Sequence, residues 1–298
     1  MKAEKFNSIA GGASCALLVL LAFSAVGRAS PVPKQIGPGL YAYISDNDGS
    51  ANSTFLVGKD GILVVDTGVD AKEGGKLLTA IRSVSNLPVK YIVNTHYHPD
   101  HQGGNSVVGP AAVVISTEWT REHTIPMSRS QPAANGSRFQ PAEVTFTDQL
   151  TLHLEPYTAK IYFPGKAHTS GDALVYFPEQ RAIATGDLFL TRSSPAIDHG
   201  SVKSWITALD QVLELPVDSI VPGHFELAGK PELKRFRDYL SDLYTQVHSL
   251  YEKRATLEEV RRDIHMEKYS DFRQYPKYEA TFADNAETIY HELQQQRP

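Results

Sequence analysis

Three histidines and one aspartate fall within six consecutive residues in the first half of the chain. They lie in the segment Asn94 to Asn105, which has the sequence NTHYHPDHQGGN. The apolar, β-branched stretch before it, Val89 to Val93, predicts a buried strand, and Pro99 with the two glycines disfavours a long helix. We therefore expect the cluster on a loop at a strand end. Imidazole and carboxylate groups there indicate a site for zinc or another divalent metal.

Three further candidate ligands occur later, each at or just past the end of a predicted strand: His168, Asp187 and His224. In a layered α/β fold, such strand ends collect at one edge of the sheets, so we expect these residues to join the first cluster. The prediction is two metal sites sharing one bridging carboxylate. The first set is His96, His98 and His168, the second is Asp100, His101 and His224, and the bridge is Asp187.

A site of this kind would allow hydrolysis without a nucleophilic serine or cysteine. Two metals about 3.5–4 Å apart share a hydroxide and polarise a carbonyl, and zinc lowers the pKa of its bound water to about 7. We therefore predict attack of a metal-bound hydroxide on an acyl carbonyl. Asp100 would hold its metal and also orient the nucleophile.

The complete motif set resembles the metallo-β-lactamase superfamily, over roughly Ile36 to Ala228. The family pattern is His-x-His-x-Asp-His, a later His, a bridging Asp and a final Gly-His, and it matches the seven residues above. The resemblance implies an α/β fold, an αββα sandwich with two metals at one edge. Asp66, in a Val-Val-Asp-Thr-Gly segment, matches a family position that braces the metal loop by orienting ligands.

Two branches of that family stay open as predictions. Residues 164–172 and 175–178 resemble class B β-lactamases that use a cysteine ligand. Asp187 replaces that cysteine and His101 replaces the usual arginine, and both choices resemble glyoxalase II and other thioester or ester hydrolases. The lysine that anchors the β-lactam carboxylate is replaced by Leu190. We therefore expect weak β-lactam hydrolysis, with an ester, thioester or lactone as the better substrate.

Two residues are weaker candidates for substrate contact. Tyr97 follows a metal ligand and is predicted at the mouth of the site, with packing as the alternative. Arg192 lies two residues after Leu190, so strand alternation would place both on one face and let the arginine partly replace the missing lysine. The alternative for Arg192 is a solvated surface charge.

Two other function classes are weighed against the zinc hydrolase. A di-iron oxidoreductase uses the same scaffold with a flavin domain, but the tail is short and has no phosphate-binding glycine loop. A non-catalytic metal-binding protein is the third class, and an open two-metal site argues against it. The cofactor prediction is two zinc ions, with another divalent metal as the alternative.

The N-terminal residues predict export from the cytoplasm. Residues 1–29 have an early positive charge, an apolar run from Ala16 to Val26 and small residues before a cut after Ala29, as in a secretory signal peptide. The alternative is a retained anchor, for which the run is short. We expect a periplasmic or secreted protein with no stable membrane partner. Cys15 is the only cysteine, so the mature chain would offer no thiolate ligand.

The composition of the chain is that of an ordinary globular protein. The chain has 298 residues, 41% hydrophobic and 21% charged, with a formal charge of −5 and no basic run, which argues against a nucleic-acid partner. We expect a small-molecule substrate, and the sequence leaves the oligomeric state open. Residues 30–229 are predicted to form the sandwich domain and residues 230–298 a helical extension, with a capping box at Thr256 and a last helix from Asp284 to Gln294.

Overall fold

The computed structural model of the chain describes residues 31–130, 138–197, 199–274 and 281–295. The signal peptide predicted over residues 1–29 lies outside these ranges. Among the described helices, none has the length and apolar character that a membrane span requires.

The first sheet has seven strands in chain order, antiparallel from β1 to β4 and parallel from β4 to β7. These strands are β1 (Lys34–Gly37), β2 (Leu40–Tyr43), β3 (Ser53–Val57), β4 (Ile62–Val65), β5 (Val89–Val93), β6 (Val113–Thr117) and β7 (Val144–Phe146). The second sheet has five strands in the order β12-β11-β10-β9-β8. They are β8 (Gln149–Leu154), β9 (Tyr157–Tyr162), β10 (Leu174–Phe177), β11 (Ala182–Ala184) and β12 (Ser219–Val221).

Five helices of the sandwich domain accompany the sheets. They are α1 (Ala71–Val84), α2 (Pro99–Gln102), α3 (Asn105–Val108), α4 (Glu118–Arg129) and α5 (Val202–Glu214). Helix α1 begins after Asp70, whose carboxylate accepts a hydrogen bond from the Glu73 amide at 2.8 Å and so caps the helix.

The alternating side chains of β4 show how the layers are built. Ile62 and Val64 face the cluster that contains Leu77 and Ile81 of α1, while Leu63 and Val65 face the cluster between the two sheets. All four residues of β4 are buried, which explains its uninterrupted apolar sequence. With α5 on the outer face of the second sheet, the arrangement confirms the predicted αββα sandwich.

The C-terminal extension forms three further described α-helices, of which the first packs on α5, the third packs on the first, and the second packs on the third. They are α6 (Lys230–Glu252), α7 (Leu257–Asp263) and α8 (Phe282–Gln295). The capping box predicted at Thr256 is present, with reciprocal bonds to Glu259. Apolar residues of the extension, such as Phe236, share one buried cluster with Trp205 of α5. The extension therefore adds a helical layer to the sandwich and has no separate core of its own among the described residues.

Candidate metal centre

The histidine segment follows β5 and contains the one-turn helix α2, with α3 beginning at its last residue, where the sequence predicts a loop. Pro99 occupies the first position of α2, where its missing amide hydrogen costs nothing, and Gly103 ends the helix after one turn. A Cβ atom at Gly103 would lie 2.1 Å from the carbonyl oxygen of Val69, and one at Gly104 would lie 2.2 Å from that of Thr67. The two glycines therefore let the segment pack directly on the backbone that follows β4.

Four side chains form the first candidate subsite. Nδ1 of His98 lies 3.0 Å from Nε2 of His96 and 3.1 Å from Nε2 of His168. Nε2 of His168 lies 3.6 Å from Oδ2 of Asp187. The ligand atoms of these four residues all lie within 4.8 Å of one another, a spacing that fits one metal ion.

The second candidate subsite combines α2 with the loop after β12. Nε2 of His224 lies 3.1 Å from Oδ2 of Asp100. Nε2 of His101 lies 3.8 Å from the same carboxylate oxygen. These three residues also form a group whose ligand atoms lie within 4.8 Å of one another.

The carboxylate of Asp187 lies between the two subsites. Its Oδ2 atom faces His168, while its Oδ1 atom lies 3.2 Å from Nε2 of His101 and 3.5 Å from Nε2 of His224. This division of the two oxygens is the arrangement that a bridging ligand requires. The structure thus brings together all seven residues that the sequence places in the two ligand sets.

Two buried atoms at this point have no hydrogen-bond partner. They are Nε2 of His101 and Oδ1 of Asp187. A buried polar atom without a partner is costly, and a metal cation would satisfy both. Imidazole nitrogens and carboxylate oxygens are ligands that zinc accepts, so the residues present fit the predicted metal.

Hydrogen bonds behind the site fix the orientation of two rings. Nδ1 of His101 donates to Oδ2 of Asp66 at 2.7 Å, and Nδ1 of His168 donates to the carbonyl oxygen of Ala196 at 2.7 Å. In both rings the Nε2 lone pair is left for a metal. Asp66 is itself held by Thr95, whose amide and hydroxyl donate to its two carboxylate oxygens. The contact of Asp66 with a ligand ring agrees with the bracing role that the family resemblance implies.

Burial and charge act differently on the two subsites. Burial lowers the pKa of His168 to about 4 and that of His96 well below its usual value, so both rings are neutral and able to bind metal. Burial also disfavours charge on His101, but the carboxylates of Asp187, Asp66 and Asp100 outweigh it and raise its pKa. The second subsite is therefore rich in negative charge and attracts a cation.

The sequence profile of the Metallo-beta-lactamase superfamily matches residues 46–224, more than half of the chain, and includes every residue of both subsites. This protein belongs to the metallo-β-lactamase superfamily. The recognition from sequence motifs is confirmed.

Three known proteins are similar to this chain. The chain is 27% identical to the alpha subunit of 2,4-dinitroanisole O-demethylase from Nocardioides sp. (strain JS1661) over 63% of this chain and 56% of that one. It is 23% identical to the type 2 metallo-β-lactamase of Bacillus cereus over 66% of this chain and 76% of that one. Against a stereoselective inverting sec-alkylsulfatase from Pseudomonas sp., the TM-score is 0.69 at 17% identity.

The sulfatase match extends into the helical extension. It covers 88% of this chain and 50% of the sulfatase chain. Because residues 1–229 are 229 of the 298 residues, the match must include part of the extension as well. The chain spans about half the length of both the sulfatase and the demethylase subunit. At this identity the match shows a shared fold.

Asn52 holds the loop that carries the candidate ligand His224, and the sequence analysis did not identify it. The side-chain Nδ2 atom of Asn52 donates to the carbonyl oxygens of Pro222 at 3.0 Å and Phe225 at 2.8 Å. The backbone amide of Asn52 donates to the carbonyl oxygen of Gly223 at 2.7 Å. These bonds hold the loop that carries His224. No local signal marks Asn52, because its partners lie about 170 residues away in the chain.

A pocket of about 250 Å³ opens onto the candidate metal centre. Besides the ligands, its wall is formed mainly by apolar and hydroxyl side chains: Leu190, Ser193, Ser194, Ala196 and Phe225. Pro99, Gly49 and Asp48 complete the described lining. Among the described residues, no lysine or arginine lines this pocket.

The structure does not place Tyr97 or Arg192 in the pocket wall. Tyr97 is half-buried, with its ring 4.6 Å from that of His98 and 5.4 Å from that of Trp119, so it packs beside a ligand. Arg192 has an exposed side chain and lines a separate depression with Arg235. The strand alternation predicted for it is wrong, because residues 191–192 form a turn in which Arg192 has a φ of 50°.

Proposed function

We propose that this protein is a binuclear zinc hydrolase that cleaves an acyl bond in a neutral ester, thioester or lactone. β-Lactam hydrolysis is a weaker activity of the same site. The observation that carries the proposal is the carboxylate of Asp187, whose two oxygens face two different sets of ligands. Two bound zinc ions would supply a water of lowered pKa and a Lewis acid for the carbonyl.

The residues of the chain have distinct roles in this proposal. Asp100 binds in the second subsite and also lines the pocket, with 27% of its side chain exposed. It can therefore accept a hydrogen bond from the attacking water and orient it towards a bound substrate. Asp66 holds the ring of His101, and the carbonyl of Ala196 holds that of His168, so the ligand atoms are fixed before substrate arrives.

The pocket wall supports a neutral substrate. A β-lactam carries a carboxylate, which class B β-lactamases bind with a lysine. Leu190 occupies the corresponding position here and lines the pocket without a positive charge. A charge pair in a partly desolvated site contributes a few kcal/mol, so its loss lowers kcat/KM roughly 100-fold. Leu190 and Phe225 instead favour an apolar group next to the scissile bond.

Cleavage of an aryl ether is the second candidate function. The demethylase relative, named for 2,4-dinitroanisole, is 27% identical over 63% of this chain. The apolar wall would accept an aromatic ring, and water activation by the same centre would serve both reactions. A small neutral substrate is common to both candidates.

A substrate panel on zinc-loaded enzyme tests the proposal. It consists of p-nitrophenyl esters, a lactone, a thioester, a chromogenic cephalosporin and 2,4-dinitroanisole. We expect kcat/KM for an ester, thioester or lactone to exceed that for the cephalosporin at least about tenfold. Efficient cephalosporin turnover near 10⁶ M⁻¹s⁻¹, within the usual enzyme range of roughly 10⁴–10⁸ M⁻¹s⁻¹, would overturn the substrate choice. Iron in place of zinc, with a coloured protein, would favour an oxidoreductase.

We also propose that the mature protein is exported, with residues 1–29 removed. The support is the charged start, apolar run and small residues of that segment. Intact mass of protein from the periplasm or medium should correspond to a chain that begins at Ser30. Recovery of the chain from the cytosol with Met1 intact would overturn this proposal.

A further inference from the structure

Arg273, in the C-terminal extension, contacts both loops that wall the candidate active site. Its Nη1 atom donates to the carbonyl oxygen of Thr191 at 3.0 Å, next to the loop that carries Ser193 and Ser194. Its guanidinium lies 4.3 Å from the ring centroid of Phe225, in the loop that carries His224. No feature of the sequence connects Arg273 with the metal motif.

The backbone of Arg273 strengthens the first of these contacts. Its amide donates to the carbonyl oxygen of Arg192 at 2.8 Å, and its carbonyl accepts from the Ser194 amide at 2.9 Å. An isolated bridge pairs Ser193 with Arg273, and the Ser194 hydroxyl also donates to the Arg273 carbonyl at 3.2 Å. Arg273 of the extension is thus joined by backbone hydrogen bonds to the loop that carries Ser193 and Ser194.

The second contact acts on a strained residue. Phe225 has a φ of 71°, a conformation that is costly for a bulky side chain and persists only when its surroundings hold it. Asn52 holds the carbonyl of Phe225, and Arg273 covers its ring. Phe225 follows His224 directly and lines the pocket, so its ring position affects the space for substrate.

We propose that Arg273 is a positioning residue that fixes the pocket wall and thereby sets the size of substrate the enzyme accepts. This inference deepens the proposed acyl hydrolase function and rests on it. None of the contacts described above joins Arg273 to a candidate metal ligand, so it acts on substrate binding through Phe225 and Thr191 with its side chain and through Ser193 and Ser194 with its backbone. The extension therefore supports the pocket wall from outside the described lining.

The ion pair of Arg273 with Glu226 is the smaller part of this effect. The pair is bidentate, at 2.6 and 3.2 Å, but the Glu226 side chain is 62% exposed. Exposed pairs are screened by water and salt. The planar contact with Phe225 and the bond to Thr191 should therefore dominate. Lysine has no planar fork, so Arg273→Lys should behave like Arg273→Ala, and Glu226→Gln should stay close to the unchanged enzyme.

Kinetics on the full zinc-loaded chain test the inference, with p-nitrophenyl acetate and p-nitrophenyl octanoate as small and large probes. Arg273→Ala should raise KM for the octanoate about fivefold, as expected for losing a cation–π contact and a hydrogen bond. We expect kcat and zinc content to stay within about twofold, since no ligand moves. KM for the acetate should change little.

Arg235→Ala is the matched control. Arg235 also lies in the extension, pairs with Asp271 at 2.6 Å and has its guanidinium 5.5 Å from the ring centroid of Phe272, and it is not among the described residues that line the pocket. Its removal should leave both KM values unchanged. Equal KM values for the octanoate in Arg273→Ala and Arg235→Ala would overturn the inference. Zinc loss with a lower kcat in Arg273→Ala would also overturn it, because Arg273 would then support the metal centre.

Hydrogen exchange separates this inference from the proposed function. If the unchanged enzyme hydrolyses no ester in the panel, the proposed function fails, and exchange still tests the wall. Arg273→Ala should speed amide exchange in residues 189–195 and 223–227 relative to Arg235→Ala. Equal exchange in these segments would overturn the positioning role whatever the substrate.

Discussion

A Cβ atom at Gly223 would lie 2.0 Å from Oδ1 of Asp187, the oxygen that faces the second subsite. The Gly223 amide also donates to the carbonyl oxygen of Gly186 at 2.9 Å, so the backbone here cannot retreat without losing a bond. The glycine before His224 is therefore explained by the space that the Asp187 carboxylate occupies.

We predict that Gly223→Ala displaces the Asp187 carboxylate and weakens the second metal. Turnover should fall by at least about 100-fold, since ligands misplaced by 1 Å cost on that order. Zinc titration and ester kinetics measure both effects. Gly75→Ala is the control, because a Cβ atom there has no neighbour within 4 Å and the residue lies in helix α1. Equal zinc binding by the two variants would contradict the prediction.

Metal content tests the two-site assignment directly. The ligand atoms form two groups, so saturated mature protein should hold close to two zinc ions per chain. Asp187→Ala should lose the second ion first and lower turnover by orders of magnitude, because it removes the shared ligand. Plasma mass spectrometry with enzyme kinetics measures this. One ion per chain at saturation, with Asp100 and His101 uncoordinated, would contradict the two-site assignment.

Replacement of Asp66 should act on metal affinity through His101. In Asp66→Asn an amide group can face Nδ1 of His101, where a carboxylate oxygen now accepts a hydrogen bond at 2.7 Å. Loss of such an outer bond lowers metal affinity roughly 10–100-fold. Competition with a chelator measures the change. Asp70→Asn is the matched control, because Asp70 caps α1 and asparagine caps equally well. An unchanged affinity in Asp66→Asn would remove the bracing role.

Asn52→Ala should destabilise the loop that carries His224. Two carbonyl oxygens, of Pro222 and Phe225, would lose their side-chain donor. A buried group left without its partner costs about 1–3 kcal/mol. We expect a lower unfolding temperature and weaker binding of the second zinc. Thermal unfolding with and without zinc measures both, and an unchanged zinc-dependent shift would show that the bonds are purely structural.

Arg192→Ala should leave hydrolysis of a β-lactam unchanged. The side chain is exposed and lies outside the pocket lining, so it cannot anchor a substrate carboxylate in the described arrangement. Cephalosporin kinetics of the variant measure this. A KM raised tenfold or more, about 1.4 kcal/mol of lost binding, would show that Arg192 reaches the substrate after all.

Much of the fold follows from local sequence patterns. The run Ile62–Val65 forms a strand that is buried on both faces, and Val89–Val93 forms a neighbouring strand in which Val89, Ile92 and Val93 are buried. The one-turn helix α2, which begins at Pro99, was not predicted, because four residues are too few to show a helical pattern of apolar residues. Local chemistry also marks the candidate ligands, because histidines and carboxylates at strand ends are few.

The sequence by itself thus determined the kinds of ligand, several of the strands and the family, whereas the order of the strands in the two sheets came from the structure. Only the tertiary structure decided which oxygen of Asp187 faces which subsite, that Arg192 points away, and that Arg273 touches the pocket wall. The physical reason is distance along the chain. Arg273 meets Thr191 across 82 residues, and such contacts depend on how whole layers pack, which no local pattern records.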